Sequence, residues 1–148
     1  MWESEEKPHV RKFREMTEPI NQASTADLTR YAINYEPLFQ TLQAIDVQHL
    51  IDTVTEPWYN QTLIRVGDVL IRLGVMQGEY HWHTHDEQDE FFYLLQGEFH
   101  IELEGRDAVV LKPNQAFSVP AGMLHRPVVP ERSAVIMIEK AGIVATGD

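Results

Sequence analysis

Short apolar runs separated by turn dipeptides fill the chain from Asn60 onward. The dipeptides are Gly67-Asp68, Gln77-Gly78, Gln96-Gly97, Glu104-Gly105 and Pro113-Asn114. The runs are rich in Val, Ile, Leu and Phe, which favour strands, whereas Gly, Asn, Asp and Pro favour turns. The pattern predicts strands at 60–66, 69–76, 79–85, 90–95, 98–103, 107–111, 115–119, 123–129 and 133–140. Many short antiparallel strands without intervening helices predict an all-β barrel or sandwich, and a jelly roll is one way to protect the sheet edges.

Residues 1–45 differ from the rest of the chain in composition. They are charged and polar up to Thr29 and then aromatic and mixed. We expect an N-terminal extension, 1–45, followed by a barrel domain, 46–148. From Leu38 the apolar residues recur at roughly helical spacing until Pro57, which predicts one or two short helices around this arm. Its aromatic stretch can cover an edge of its own barrel or of a neighbouring one, and we expect a homodimer.

The charge balance and the residue inventory limit the partners of the chain. Lys and Arg total 12 against 23 Asp and Glu, a formal net charge of -11, which disfavours nucleic acid and anionic membranes. No cysteine is present, so a transition metal would have to be bound by imidazole and carboxylate groups. The acidic N-terminus lacks the features of a secretory signal, which predicts a cytoplasmic protein.

Three of the seven histidines lie within five residues, at His81, His83 and His85. Side chains two residues apart on a strand share one face, so these imidazoles would project together. Glu90 opens an apolar run in which an unpaired carboxylate would be costly, and His125 follows a Pro-Gly turn much later in the chain. An H-x-H pair alone is more typical of solvated or hydrogen-bonded histidines. A metal site is therefore predicted only from the pair together with Glu90 and His125.

The spacing of these residues resembles the two motifs of the cupin superfamily. Gly78 to Gly97 reads G-x4-H-x-H-x4-E-x6-G, and Pro120 to His125 reads P-x-G-x-x-H. The resemblance covers about 46–148 and includes single-domain cupins loosely labelled mannose-6-phosphate isomerase-like. It implies a small jelly-roll barrel around one divalent transition metal ion, with the ligands His83, His85, Glu90 and His125.

Three positions depart from the cupin motifs. Four residues rather than five separate Gly78 from His83, and Val129 stands where the second motif usually ends with asparagine. Asn114 stands where that motif usually begins with glycine. Asparagine is one of the few other residues that tolerate positive φ, so we expect Asn114 to substitute for the glycine locally.

The expected ligand set suggests two classes of function. Three imidazoles and one carboxylate leave one or two positions open on a divalent Fe, Mn, Ni, Zn or Cu ion. The resemblance implies a metalloenzyme acting on a small oxygen-bearing substrate, with dioxygenase-type or isomerase-type chemistry. The alternative is a non-catalytic module that binds or senses a sugar-like small molecule. A phosphosugar needs cationic groups near the metal, and only Arg126 adjoins an expected ligand, so a sugar-phosphate isomerase ranks low.

Several residues near the motifs have other expected roles. His81 is a candidate catalytic residue or pocket wall rather than a ligand, and Glu98 is a second possible proton carrier. Trp82 should pack on the opposite face from the histidines. His100 is expected to line the barrel or lie on its surface. The remaining histidines are expected at the surface: His9 and His49.

Overall fold

The computed structural model describes residues 27–148. A short 3-10 helix, Asp27–Arg30, precedes the first strand. The elements that follow are β1 (Ala32–Asn34), α1 (Val47–Thr53), β2 (Trp58–Val66), β3 (Val69–Glu79), β4 (Glu90–Gln96), β5 (Phe99–Leu103), β6 (Val109–Leu111), β7 (Ala116–Val119) and β8 (His125–Lys140). No helix within 27–148 has the length and hydropathy needed to span a bilayer.

The strands build the expected all-β jelly roll around the long strand β8. Their order is β1-β2-β3-β8-β4-β7, and β5 joins β8 while pairing with β6 on its other side. β8 runs beside β3 on one flank, while its first half pairs with β5 and its second half with β4 on the other. Among the described residues β6 and β7 do not pair with each other, so the barrel is open between them.

Two of the predicted strands differ from the structure. The strand predicted at 79–85 is wrong, because β3 ends at Glu79 and only His83 bridges back to the sheet, opposite His125. The strands predicted at 123–129 and 133–140 form a single strand, β8. A register shift opposite Gln77 accommodates the residues between them, so β3 pairs with both halves.

The helical segment is shorter than its apolar spacing predicts. α1 begins after Asp46, whose Oδ1 accepts a hydrogen bond from the His49 backbone N–H at 3.0 Å. Residues 38–45 form turns, and α1 lies beyond residue 45, so the 3-10 helix is the only helix of the arm within the described part. α1 buries Ile51 against Leu63 and Leu73 on the outer face of β2 and β3.

The arm covers an edge of its own sheet. β1 pairs in parallel with the start of β2, and Tyr31 just before it packs in the barrel core against Trp58 and Tyr80. The division at residue 45 stays a prediction. Residues 1–26, including His9, lie outside the described residues.

Asn114 and Gly97 both occupy left-handed backbone conformations at strand ends. Asn114 has φ 66°, as expected for an asparagine that replaces glycine in the second motif. Gly97, which closes the first motif, has φ 91° and lies against β8. A Cβ atom there would overlap the Ser133 side chain and come within 2.8 Å of the Ser133 Cα. Ser133 cannot retreat easily, because its Oγ accepts a hydrogen bond from the Glu98 N–H at 3.0 Å.

We predict that Gly97→Ala destabilises the fold by about 3 kcal/mol, because it combines a left-handed alanine with steric overlap against backbone. Gly105→Ala is the matched control, since Gly105 has φ 70° but open space around it. Its cost should be about 1 kcal/mol. Urea unfolding measures both, and equal losses would contradict the close contact at Gly97.

Candidate metal centre

The backbone brings together three separate segments at one end of the barrel. Glu90 is the first residue of β4 and His125 the first of β8. His83 lies in the connection between β3 and β4, and it exchanges two backbone hydrogen bonds of 3.0 Å with His125. The carbonyl of His85 accepts a hydrogen bond from the Gly122 N–H at 2.9 Å. The turn before β8 therefore fixes both histidines of the first motif.

The four expected ligands form one buried cluster. Each of them offers one nitrogen or oxygen atom, and these atoms all lie within 4.8 Å of one another. Glu90 Oε2 lies 3.1 Å from His125 Nε2 and 3.2 Å from His85 Nε2. All four residues are at most 7% exposed, so water cannot replace these contacts. The four residues predicted from the sequence motifs therefore lie together in the folded chain: His83, His85, Glu90 and His125.

Backbone carbonyls orient two of the imidazoles. His83 Nδ1 lies 3.0 Å from the His81 carbonyl oxygen, and His125 Nδ1 lies 2.8 Å from the Met123 carbonyl oxygen. A carbonyl only accepts, so each Nδ1 carries a proton and donates it, while His125 Nε2 forms a hydrogen bond of 3.1 Å with Glu90 Oε2. In His83 the lone pair is therefore left on Nε2. This is the arrangement that prepares histidine to bind a metal.

The protonation states of the cluster also suit a cation. Burial and the neighbouring His125 lower the pKa of His83 to about 3, so its ring is neutral at physiological pH. Burial opposes ionisation of Glu90, but the facing rings of His125 and His85 outweigh it and hold the pKa of Glu90 well below its usual range. Neutral imidazole and ionised carboxylate are the forms that bind transition metals.

One member of the cluster, His85, makes no hydrogen bond. Both of its ring nitrogens are buried, and Nε2 lies 3.2 Å from Glu90 Oε2. Leaving such a group unsatisfied costs about 1–3 kcal/mol. A divalent ion among the four residues would satisfy His85 Nε2 and balance the Glu90 charge. The donor set, three imidazoles and one carboxylate, fits a borderline transition metal.

A second carboxyl group lies behind the cluster and was not anticipated. Glu139 on β8 is 2% exposed, and its Oε2 accepts a hydrogen bond from Arg72 Nη1 at 3.2 Å. Burial and the neighbouring Glu90 raise the pKa of Glu139 well above its usual range, despite Arg72. The pKa values of these two neighbouring carboxyl groups are thus shifted in opposite directions. The sequence does contain a signal for the Arg72–Glu139 pair, because each of these charged residues lies within a largely apolar predicted strand, 69–76 and 133–140.

His81 lies beside the cluster without joining it. Its ring is 5.3 Å from the His83 ring, as their shared face predicts. Its Nδ1 lies 3.2 Å from the Tyr31 hydroxyl and its Nε2 2.6 Å from the Thr146 carbonyl oxygen. Both ring nitrogens are thus engaged, which fits the expectation that His81 is a wall residue. A catalytic role for it stays a prediction.

The segment 143–148 covers the cluster from outside. The Tyr80 hydroxyl donates to the Ala145 carbonyl at 3.1 Å, and the Ala145 N–H donates to the Tyr35 hydroxyl at 3.0 Å. Gly147 packs so closely on His83 that a Cβ atom would come within 2.6 Å of the His83 Cβ. The arm and this segment together keep water from the ligands.

The other chemical candidates lie away from the cluster. Glu98 bonds to His100 at 2.6 Å and to the exposed Lys112, at the far end of β5 from Leu103, the residue paired with His125. The structure therefore does not bring Glu98 to the ligands as a proton carrier. Trp82 is half-buried beneath the Arg126 guanidinium, and His49 is exposed as expected.

Comparisons with known proteins agree with this fold and site. The family model described as the cupin domain matches residues 69–139. The uncharacterized protein YdbB of Bacillus subtilis is 38% identical over 77 residues, covering 52% of this chain and 68% of that protein.

Two solved structures share the fold. A cupin-2 domain containing protein from Shewanella frigidimarina superposes with a TM-score of 0.62 and 23% identity, over 66% of this chain and 94% of that one. A protein from Neisseria meningitidis gives a TM-score of 0.60 and 20% identity, over 67% of this chain and all of that one (100%). With a family match that runs from β3 to β8 and contains every residue of the buried cluster, the chain belongs to the cupin family.

Proposed function

We propose that this cupin is a metalloenzyme that holds one divalent transition metal ion and acts on a small oxygen-bearing substrate. The observation that carries the proposal is the buried cluster, in which neither ring nitrogen of His85 makes a hydrogen bond. The four protein ligands would be His83, His85, Glu90 and His125. Four ligands leave one or two positions of the ion open, which catalysis requires.

The chemistry follows from what the ion and the chain each contribute. A bound Fe, Mn, Ni, Zn or Cu ion would supply Lewis acidity or, if redox-active, oxygen activation. The chain supplies imidazoles held in place by backbone carbonyls, the Glu90 carboxylate with its lowered pKa, and the covering segment 143–148. His81 stays the candidate for proton transfer, because its ring adjoins His83 and its Nδ1 lies 3.2 Å from the Tyr31 hydroxyl, while the Thr146 carbonyl orients the ring through Nε2.

Dioxygenase-type chemistry is favoured over sugar-phosphate isomerisation. A phosphosugar needs a free cation beside the metal, and Arg126 is the only Arg or Lys adjacent to a ligand in the sequence. Its Nε donates to Glu102 at 2.8 Å and its Nη1 to Glu79 at 3.3 Å, so two carboxylates already occupy it.

A binding or sensing module is the second candidate function. The cavity that adjoins His83 and Glu90 measures about 20 Å³, which is room for about one water molecule. With the cover closed it holds neither an organic substrate nor a sugar-like ligand, so a module of this kind would bind its ligand outside that cavity. The cytoplasmic location also stays a prediction.

We predict about one equivalent of transition metal in the chain when it is purified without chelator and measured by elemental analysis. The double variant His83→Ala/His85→Ala should lose the metal, and the isosteric Glu90→Gln should lose most of it because the site loses its only negative charge. His49→Ala, an exposed histidine, should keep it. A wild-type chain that binds no metal from an equimolar mixture of Mn, Fe, Ni, Cu and Zn would refute the proposal.

We predict that the chain loaded anaerobically with Fe(II) consumes oxygen when mixed with a catechol, a diketone or a flavonol, as an oxygen electrode would record. The Glu90→Gln variant should reduce this rate by at least about tenfold, because it weakens metal binding. Substrate conversion that is indifferent to oxygen would favour isomerase-type chemistry instead. Thermal stabilisation by a small molecule without any conversion would favour the binding module.

We propose a homodimer that pairs through the outer face of β3, β8 and β4. Ile71, Ile138 and Phe91 occupy one row across these strands, and Ile138 is 36% exposed. A second copy would cover this apolar row about a two-fold axis.

We predict a dimer mass in light scattering and a shift toward monomer for Ile138→Glu, because the variant places a charge on the apolar row. Leu42→Glu, at a fully exposed leucine elsewhere, should leave the dimer intact. A single species of 17.1 kDa for the wild-type chain at micromolar concentration would reject the dimer.

A further inference from the structure

The opening between β6 and β7 contains a cavity that no role so far explains. It measures about 530 Å³ and is lined by Leu103, Gly105, Arg106, Asp107, Val109 and Phe117. We call it the β6–β7 cleft. Its volume lies within the range of small-molecule sites in proteins. It exists because β6 and β7 diverge from their connecting turn without pairing along their length.

The inner end of the cleft adjoins the metal ligands. Leu103 is the direct partner of His125 across β5 and β8, and such partners place their side chains on the same face, about 5 Å apart. On the other side, Phe117 on β7 pairs with Phe92 on β4. Two residues further along these strands, on the same face, Val119 pairs with Glu90. Both walls of the cleft therefore lead toward a ligand.

The second cavity near the ligands cannot hold an organic molecule. It is the cavity of about 20 Å³ beneath Ala145, closed by the segment 143–148. The β6–β7 cleft is the larger of these two cavities and has room for a molecule larger than water with this cover in place.

The lining of the cleft indicates the chemistry of its occupant. Leu103, Val109 and Phe117 provide apolar walls that pack against the barrel core. Arg106 is exposed at the rim and forms no ion pair with any carboxylate within 27–148, although acidic residues outnumber basic ones almost two to one. Its guanidinium is thus available to bind an anion with two parallel hydrogen bonds.

The neighbouring Asp107 limits the charge of that anion. It lines the same cleft and already has an interaction of its own. A dianionic phosphate would be repelled by this carboxylate, whereas a single carboxylate group bound to Arg106 would be repelled less. The rest of such a ligand would be apolar, because it would contact the apolar walls of the cleft.

We propose that the β6–β7 cleft is the organic-substrate site of this cupin and that it binds a small monocarboxylate, with Arg106 holding the carboxylate and the apolar walls holding the body. The role of the cleft as a substrate site rests on the proposed metalloenzyme function. Binding of the carboxylate itself requires only the cleft and therefore occurs with or without metal.

The first test is a titration of the ¹⁵N-labelled chain with benzoate, benzyl alcohol and phenyl phosphate, followed by NMR. Benzoate should shift the amide signals of residues 103–109 and 117 and should bind more tightly than either analogue. Arg106→Gln should weaken benzoate by about tenfold, because a charged hydrogen bond is lost, and should leave benzyl alcohol within twofold. Arg65→Gln, an exposed arginine on β2, is the charge-matched control and should change nothing.

Three outcomes of this titration would overturn the proposal. They are the absence of benzoate binding up to its solubility limit, shifts that map elsewhere, and equal affinity in the Arg106→Gln variant. Tighter binding of phenyl phosphate than of benzoate would overturn the carboxylate assignment.

The second test links the cleft to the metal. Mn(II) in the site should broaden the benzoate proton signals, Zn(II) should not, and Arg106→Gln should reduce the broadening. Benzoate that binds in the cleft of Mn-loaded protein without broadening would overturn the substrate role. A chain that retains no Mn(II) refutes the metalloenzyme function, whereas the titration on metal-free protein still decides whether the cleft binds carboxylates.

Discussion

The reciprocal backbone hydrogen bonds between His83 and His125 hold the functional end of this molecule together. His83 lies in an irregular connection that has left the sheet, and this bridge is what returns it to the start of β8. Besides this bridge, the hydrogen bond from the Gly122 N–H to the His85 carbonyl also joins the two motifs directly. Because the bond is between backbone atoms, the distance between the motifs does not depend on whether an ion is present.

The electrostatics of the barrel interior depend on a pair of neighbouring carboxyl groups, Glu90 and Glu139. They lie close together in a buried environment where ionisation of both is costly. Burial and the neighbouring Glu90 shift the pKa of Glu139 upward despite Arg72, whereas the facing imidazoles shift the pKa of Glu90 downward. The surroundings therefore favour the negative charge on the group that faces the cluster.

The fold and the members of the buried cluster could be predicted from the sequence because both are encoded locally. Alternating apolar residues and turn dipeptides defined most strands, and the spacing of His83, His85 and Glu90 is itself a motif. Sequence reasoning failed where tertiary contacts decide the backbone. The residues after Glu79 have strand-like composition yet leave the sheet to reach His125, and the residues before Asp46 have helical spacing yet form turns. Glu139 was overlooked as a neighbour of Glu90, because only the completed pairing of β8 brings them together.

The position of β8 also has a consequence for how the molecule assembles. The strand that separates β3 from β4 and β5 follows all of them in the sequence. Until it is in place, the apolar β3 has no partner on one edge, and β4 and β5 have no common neighbour. Sheets that close through such distant segments fold slowly and leave strand edges unpaired in the meantime. Completion of this barrel therefore waits for β8.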